Sequence, residues 1–405
     1  MEVIYERCCG LDVHKNIVMA CIFVKGKKEI RKFGTFTDEL EEMMTWIREK
    51  DCEVVAMEST GVYWKPVYNL LEEAGIKAVV VNAQHIKGVP GRKTDVKDAE
   101  WIADLVRHGL VKESYIPNRA QRELREMTRY RQDLIEERAR EINRIQKVLE
   151  GANIKLASVL SDVSGKSGIS ILKALITGTT DAAELSKLAI GRAAEKIPLL
   201  QRALRGSVGE HQRQMLKHQV RHIEFLSDEI ERINAEVEKK TEYAATEIEL
   251  LDGIPGIGRR SAERIIAETG IDMGQFKSAA HFASWAGLVP ECKESAGKKM
   301  SAKIRKGNKT LKTTLVECAC SAIRDKDSFF YARYKKISAR RGGKRAIVAI
   351  AHSMLLAIYA MLRKKESFRD LGSNYFYEKD KDKILNRNIR SLQNLGFYVS
   401  LNNVG

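Results

Sequence analysis

Paired cysteines, a cleavable leader, a membrane-length apolar run and an excess of acid are all missing from this sequence of 405 residues. Cys8, Cys9, Cys21, Cys52, Cys292, Cys318 and Cys320 include no C-x-x-C pair and no histidine at matching spacing, so neither a zinc site nor a disulfide framework is indicated. Reduced thiols in a cytosol are expected. The N-terminus enters a strand-like run at once, without a basic stretch, an apolar core and a cleavage site, which argues against export. The longest apolar stretch, Ala346 to Leu362, is interrupted by His352 and Ser353 and is shorter than a spanning helix needs; it reads as a buried helix. Acid is scarce beside base: 70 Lys and Arg against 54 Asp and Glu leave a net charge of +16, too large for an enzyme of neutral metabolites and suited to a polyanionic partner.

The length admits two or three domains. Residues 1–117 alternate strand and helix signals. Cys8 to Val24 is rich in β-branched and apolar residues, Lys28 to Thr37 reads as a further strand, and Asp38 to Lys50 as an amphipathic helix capped by Thr37 or Asp38. Glu53 to Glu58 and Lys77 to Asn82 are short buried-strand runs on either side of a helical stretch from Trp64 to Gly75. The fold class expected is therefore α/β, followed by all-α. Residues 118–248 read as long charged helix, with Ile135, Ile142 and Leu149 seven apart and Ile223, Leu226, Ile230, Ile233 and Val237 in alternating steps of three and four. That spacing suits an intramolecular hairpin and an intermolecular coil equally. Ser158 to Gly191, between them, is rich in Ser, Gly and Thr and suggests short helices and turns. Residues 249–372 open on Gly253-Ile-Pro-Gly-Ile-Gly258 before a helix from Arg259 to Thr269 and continue as short helices with a basic loop. Residues 373–405 show little periodicity and read as a weakly packed or disordered tail.

Basic residues cluster in the last third: Glu291 to Lys312 holds eight Lys/Arg and two Glu, and Tyr331 to Arg345 holds seven Lys/Arg and no acid. Carboxylates of interest lie at the other end. Asp12 follows the apolar lead of the first strand, and Glu58 closes the run Val54-Val55-Ala56-Met57. Asp95 and Asp98 are three apart, so a helix opening there puts both on one face. Four acids converging would repel unless cations sit between them, and hard oxygen donors favour Mg²⁺ or Mn²⁺. Taken singly, Asp95 equally suits an N-cap and Asp98 a first-turn acid.

Gly10-Leu-Asp-Val-His-Lys15, Glu58-Ser-Thr-Gly-Val-Tyr63 and Lys93-Thr-Asp-Val-Lys-Asp-Ala99 resemble the three motif blocks of the DEDD transposases of the insertion-sequence family one-ten. The resemblance implies an RNase H-like N-terminal domain similar to the RuvC resolvase, with Asp12, Glu58, Asp95 and Asp98 as metal ligands and catalytic residues. The second half is similar too. Gly253, Gly256 and Gly258 resemble a helix-hairpin-helix turn, in which backbone N–H groups and neighbouring cations such as Arg259 and Arg260 meet phosphate. Trp285 to Pro290, Glu294 to Lys299 and Arg305 to Lys309 resemble the family's C-terminal transposase domain, in which a serine is the proposed nucleophile. Ser295 is the candidate and Ser301 the fallback, with Lys298, Lys299, Lys303, Arg305, Lys306 and Lys309 available to a scissile phosphate.

No histidine or aspartate in that segment announces a general base for the serine; a carboxylate centre contributed by a neighbouring subunit would supply one. The resemblance further implies a bacterial cytoplasmic, nucleoid-associated protein acting on donor and target DNA. It also implies a structured guide RNA encoded by the element and a homo-oligomer, dimer or tetramer, assembled through the helical middle. Two other readings compete: a RuvC-like structure-specific endonuclease that uses water, and a non-catalytic basic nucleic-acid-binding protein, which retention of all four acids disfavours.

Overall fold

Cys8 to Val24, continuous and apolar in sequence, folds as two antiparallel strands, β1 (Arg7–Val13) and β2 (Ile17–Val24), because the polar trio 14–16 breaks it; His14 N–H closes the turn on the Ile17 carbonyl at 2.9 Å. β3 (Lys27–Gly34) continues the meander antiparallel to β2. After helix α1 (Thr37–Glu49) the chain enters β4 (Val54–Glu58), parallel to β1, then crosses through α2 (Trp64–Glu73) to β5 (Ala78–Val81), parallel to β4. The order is β3-β2-β1-β4-β5, a mixed sheet with β1 at its centre. The computed structural model describes residues 2–59, 61–81, 95–111, 113–291, 293–295, 298–301 and 303–400, with backbone alone at 95–97, 293–295 and 298–301. The chain divides into two compact units, 1–117 and 118–405.

Strand alternation sorts the sheet's two faces in the first unit. Cys9, Leu11, Val55 and Met57 pack with Met43, Trp46, Ile47 and Leu71 of α1 and α2. Cys8, Cys21, Val54, Ala56 and Val79 pack with Ala99, Ile102, Ala103 and Val106 of α3 (Asp95–Arg107) on the other face. Covering both faces explains why the central strands read as unbroken apolar runs. The thiols of Cys8, Cys21 and Cys52 are pushed up to about 12, chiefly by burial, and that of Cys9 is raised for the same reason.

Among its described residues the second unit is helical apart from one hairpin. α4 (Arg119–Gly151) leads through α5 (Lys166–Thr177), α6 (Ala182–Lys187) and α7 (Ile197–Ala203) to α8 (Glu210–Lys240), which returns along α4. The pair is antiparallel: Glu123 meets Lys240 at 3.5 Å, Arg131 meets Asn234 at 3.2 Å and Arg138 meets Ser227 at 3.3 Å. The heptad residues are thus used within one chain. On α8 the expected seam is the observed one, Ile223, Leu226, Ile230, Ile233 and Val237 all being buried. On α4 only Leu149 of the expected three is buried; the seam runs through Leu124, Thr128, Arg131, Leu134, Glu141 and Ile145 instead. Arg131 and Glu141 stand in it as charged residues, so a reading that follows apolar positions alone slips to Ile135 and Ile142.

α9 (Ala245–Asp252), α10 (Arg259–Thr269), α11 (Ala279–Ala286), α12 (Lys309–Ala322), α13 (Phe329–Arg341) and α14 (Gly343–Lys364) build the largest core, around Leu251, Ile265, Phe282, Leu315 and Leu355. α14 has the length and mean hydropathy, 1.8, of a membrane-crossing helix, longer than its apolar run suggests, but it lays Ile350, Met354, Leu355 and Ile358 into this core. In place of the expected basic loop stands a short antiparallel hairpin, β6 (Lys293–Ser295) and β7 (Lys298–Ser301). The tail is weakly packed yet helical: α15 (Tyr375–Lys379) and α16 (Lys381–Asn394) carry no buried residue and hold on through Phe376 stacked on Phe329 at 5.4 Å.

α10 joins these parts through two carboxylates with no exposure. Glu263 receives Arg131 at 2.7 Å and Arg260 at 2.9 Å. Glu268 receives both forks of Arg129, at 2.7 and 2.9 Å, and the side-chain amide of Asn308 at 2.7 Å. The Glu268 hydrogen bond raises the Arg129 pKa, outweighing the opposing effect of burial. Breaking one partner of a buried pair costs about 3–5 kcal/mol, against about 0–1 kcal/mol for an exposed one. Glu263→Gln is therefore expected to lower the opening free energy of α10 amides by about 3 kcal/mol in hydrogen exchange, whereas Arg140→Gln, whose Glu136 partner on α4 is exposed, changes that of α4 by less than about 1 kcal/mol. Alkylation at pH 8 should leave Cys8, Cys21 and Cys52 unmodified until the sheet opens, since a thiol of pKa about 12 is almost wholly protonated there.

Candidate active site and nucleic-acid interface

β1 and β4 run parallel with Leu11 opposite Met57, so one residue further along both strands Asp12 stands beside Glu58. Alternation places both on the face that α3 covers, with Cys8 and Gly10 on one strand and Val54 and Ala56 on the other. Asp12 is 7% exposed and its Oδ2 lies 3.0 Å from His14 Nε2; Glu58 is half-buried at the strand end, beyond which Ser59 N–H donates to the Val81 carbonyl at 3.1 Å. α3 begins at Asp95, and the partly buried Asp98 precedes Ile102 of the sheet-facing stripe by one turn. Carboxylates thus come from two adjacent strand ends and from the opening turn of the helix laid across them.

Gly10 makes this approach possible. A Cβ there would run into the Ala99 carbonyl and the Ala103 backbone nitrogen, so α3 meets β1 backbone to backbone, with the Cys8 thiol donating to the Ala103 carbonyl at 3.6 Å. The donors are all hard oxygens, the chemistry that suits a divalent cation. Among the described residues no three His, Cys, Asp or Glu side chains lie close enough together to hold a metal; the Asp95 side chain lies outside those residues. Sequence reasoning did not single out His14 as a partner of Asp12, although a histidine two residues past a strand-end acid is a visible signal.

In the second unit, Gly253 ends α9 and Gly258 caps α10, as a helix–turn–helix connection requires. Gly256 also serves the packing of the helices. It has φ +87°, and a Cβ there would strike the backbone of Cys318 and Ala322, so this glycine serves the approach of α12. Arg259 and Arg260 are exposed in the first turn of α10, yet both reach Glu263, at 3.5 and 2.9 Å, and Arg259 also meets Glu238 at 2.9 Å.

The hairpin registers Ser295 with Lys298 at its turn end and Lys293 with Ser301 at its base, which separates the two candidate serines to opposite ends. The side chains of Ser295, Ser301, Lys298 and Lys299 lie outside the described residues. Below the base, Glu291 N–H reaches the Lys303 carbonyl at 2.8 Å and Arg305 N–H the Val289 carbonyl at 3.0 Å. Lys303, Arg305, Lys306 and Lys309 are exposed, and Arg305 Nη1 donates to Ser284 Oγ at 2.9 Å. Lys309 opens α12 behind the Asn308 cap, so cations stand at the positive end of that helix dipole, where an anion is favoured and a cation is not.

A DEDD transposase model of the IS110 kind matches residues 9–154, and a model described as transposase, IS116/IS110/IS902 family, matches residues 248–335. The chain is 25% identical over 370 residues to the transposase for insertion sequence element IS1111A of Coxiella burnetii, covering 89% of this chain and 90% of that one. A probable family 20 transposase of Pseudomonas aeruginosa is 27% identical over 367 residues, 89% of this chain and 94% of its own. Over 122 residues the chain is 31% identical to the pilin gene-inverting protein of Moraxella bovis, 29% of this chain and 38% of that one.

Because overpacking a close backbone contact costs about 1–3 kcal/mol, Gly10→Ala is expected to lower the urea midpoint of the 1–117 unit and the hydrogen-exchange protection of α3 together; unchanged α3 protection would contradict the close approach.

Proposed function

This chain belongs to the IS110 family of insertion-sequence transposases and is a DNA transposase, and from that premise we propose how its residues divide the work of cutting and rejoining strands. The α/β unit is read as RuvC-like, with Asp12, Glu58, Asp95 and Asp98 holding divalent cations, Mg²⁺ or Mn²⁺. The observation that carries this reading is the pairing of Asp12 and Glu58 at the ends of adjacent parallel strands, under the helix that opens with Asp95 and Asp98. The chemistry those four carboxylates would gain from a bound divalent cation is activation of a nucleophile and stabilisation of charge on the phosphoryl oxygens.

Ser295 is the proposed nucleophile: its oxygen bonds to phosphorus, the bond to the leaving sugar oxygen breaks, and the serine proton passes to a carboxylate. A serine is a weak nucleophile at its ordinary pKa, so it needs that base. The carboxylates of a neighbouring subunit in a dimer or tetramer would supply it. With the heptad faces of α4 and α8 spent on each other, contacts between subunits fall to other faces.

Gly253, Gly256, Gly258, Arg259, Arg260, Lys298, Lys299, Lys303, Arg305, Lys306 and Lys309 are proposed to meet nucleic-acid phosphates. The support is that α10 and α12 both start among cations, which a neighbouring phosphate would relieve. An element-encoded guide RNA is proposed to choose donor and target by base pairing while the protein reads phosphates and shape.

The experiment combines purified protein, the element's flanking noncoding RNA, labelled end-joined DNA and Mg²⁺, read on a denaturing gel. A protein–DNA adduct is expected from the wild type and from neither Ser295→Ala nor Asp12→Ala. Full strand transfer by Ser295→Ala would remove the serine from the mechanism, and metal-dependent cleavage without an adduct would favour a water-using nuclease.

A further inference from the structure

Between α4, α8, α10 and α12 lies a half-open cavity of about 380 Å³. Four guanidiniums line it, from Arg131, Arg138, Arg260 and Arg264, against the carboxylates of Glu231 and Glu317. Two of the four are already answered, since Arg131 and Arg260 share Glu263 at 2.7 and 2.9 Å.

Arg264 is not answered in that way. It is 8% exposed, donates Nη1 to the neutral Gln132 amide oxygen at 3.0 Å, and stands 3.6 Å from Glu317, beyond a hydrogen bond. Its Nε is buried without a hydrogen-bond partner among the described residues. Burial is the largest influence on its pKa and lowers it. Among the described residues Arg264 therefore meets one carboxylate only at ion-pair distance, and the cavity's other guanidinium on α4, Arg138, meets none at hydrogen-bond distance, so oxygens of an anion in the cleft would complete both. Arg138, partly buried on α4, commits one donor to the Ser227 hydroxyl at 3.3 Å. Ser261 lines the same cavity from the first turn of α10, where backbone N–H groups and the helix dipole favour negative charge.

We infer that this cavity is a phosphate site, formed by Arg138, Arg264 and Ser261, that takes a backbone phosphodiester of a nucleic-acid strand. The inference rests on the reading that the turn before α10 meets nucleic acid, and it extends that contact from the turn's surface into the cleft behind it. Nothing in the motif blocks points there, because Arg138 belongs to the helical middle and Arg264 reads as an ordinary helix residue.

The test is the salt dependence of binding by the full chain to two labelled probes, a duplex DNA and a structured RNA, for the wild type, Arg138→Gln and Ser261→Asp. Each neutralised phosphate contributes a slope of about 0.9 in log K against log salt for duplex DNA and about 0.7 for single strands. Loss of one contact is expected to lower the slope by about that amount and the affinity roughly tenfold. The probe that responds, DNA or RNA, identifies the strand the site serves. Wild-type slopes in both variants on both probes would overturn the cavity site while leaving the turn's role standing. Stabilisation by inorganic phosphate with no change in nucleic-acid slope would also overturn it, in favour of a free-ion site. If the wild type binds neither probe in a salt-dependent way, the underlying reading falls first. Arg138→Gln lies on a partly exposed helix face, so its fold, checked by circular dichroism, is expected to survive even where a change at Arg264 does not.

Discussion

Two carboxylates without solvent contact, Glu263 and Glu268, set the form of the helical unit. A buried carboxylate is tolerable only when its oxygens are answered, and here the answers come from three separate stretches of chain. Arg129 and Arg131 lie on α4, Arg260 on α10 itself, and Asn308 at the cap of α12. Arg125 adds a hydrogen bond to the Glu268 carbonyl and Gln121 one to the Ala267 carbonyl, so the end of α10 is grasped along its backbone as well. One residue, Asn308, both caps α12 through Leu311 N–H and holds Glu268, which ties the segment beneath the β6–β7 hairpin to the charged centre. The position of that hairpin's base is therefore a consequence of electrostatic satisfaction two elements away.

The α/β unit depends on a different constraint, the absence of a side chain at Gly10. With nothing between β1 and α3, the helix can lie close enough for its opening turn to reach the strand ends where Asp12 and Glu58 stand. Asp12 is meanwhile held by His14, whose ring is half exposed. Apolar packing fixes the distance between strand and helix, and the acids inherit their placement from it.

Much of this was legible in order of residue type. Strand runs with both faces covered are apolar throughout, so β4 and β5 could be read from composition alone while β1 and β2 merged into one run, and α10 could be read to its ends because glycines flank it. The seam of α8 was legible because Ile223, Leu226, Ile230, Ile233 and Val237 are all apolar, although the buried Asn234 beside them was not singled out; that of α4 was not, because Arg131 and Glu141 occupy seam positions whose partners lie far away in sequence. The hairpin at 293–301 escaped because Lys, Glu and Ser carry no alternation of hydrophobicity, its strands being defined by backbone pairing. The helices of the tail escaped for the opposite reason: with no buried residue, they leave no core stripe to detect, although α16 does carry apolar and charged residues in one helix. In the candidate sites, the acids were legible as motifs, while the neutralisation of Arg259 and Arg260 by Glu263 was visible only in three dimensions.

The partners of α10 also impose an order of events on synthesis. Arg129 and Glu268 are separated by 139 residues, and Arg131 and Glu263 by 132. A nascent chain that has completed α4 and α8 therefore carries in its seam a guanidinium met only by the neutral Asn234 until the ribosome has made α10. Long-range closure of this kind is slow and comes late. Fragments of the gene that stop before residue 259 would therefore encode a helical pair in which Arg131 is buried against Asn234 with no carboxylate to answer it, a pair less stable than the same helices in the whole chain.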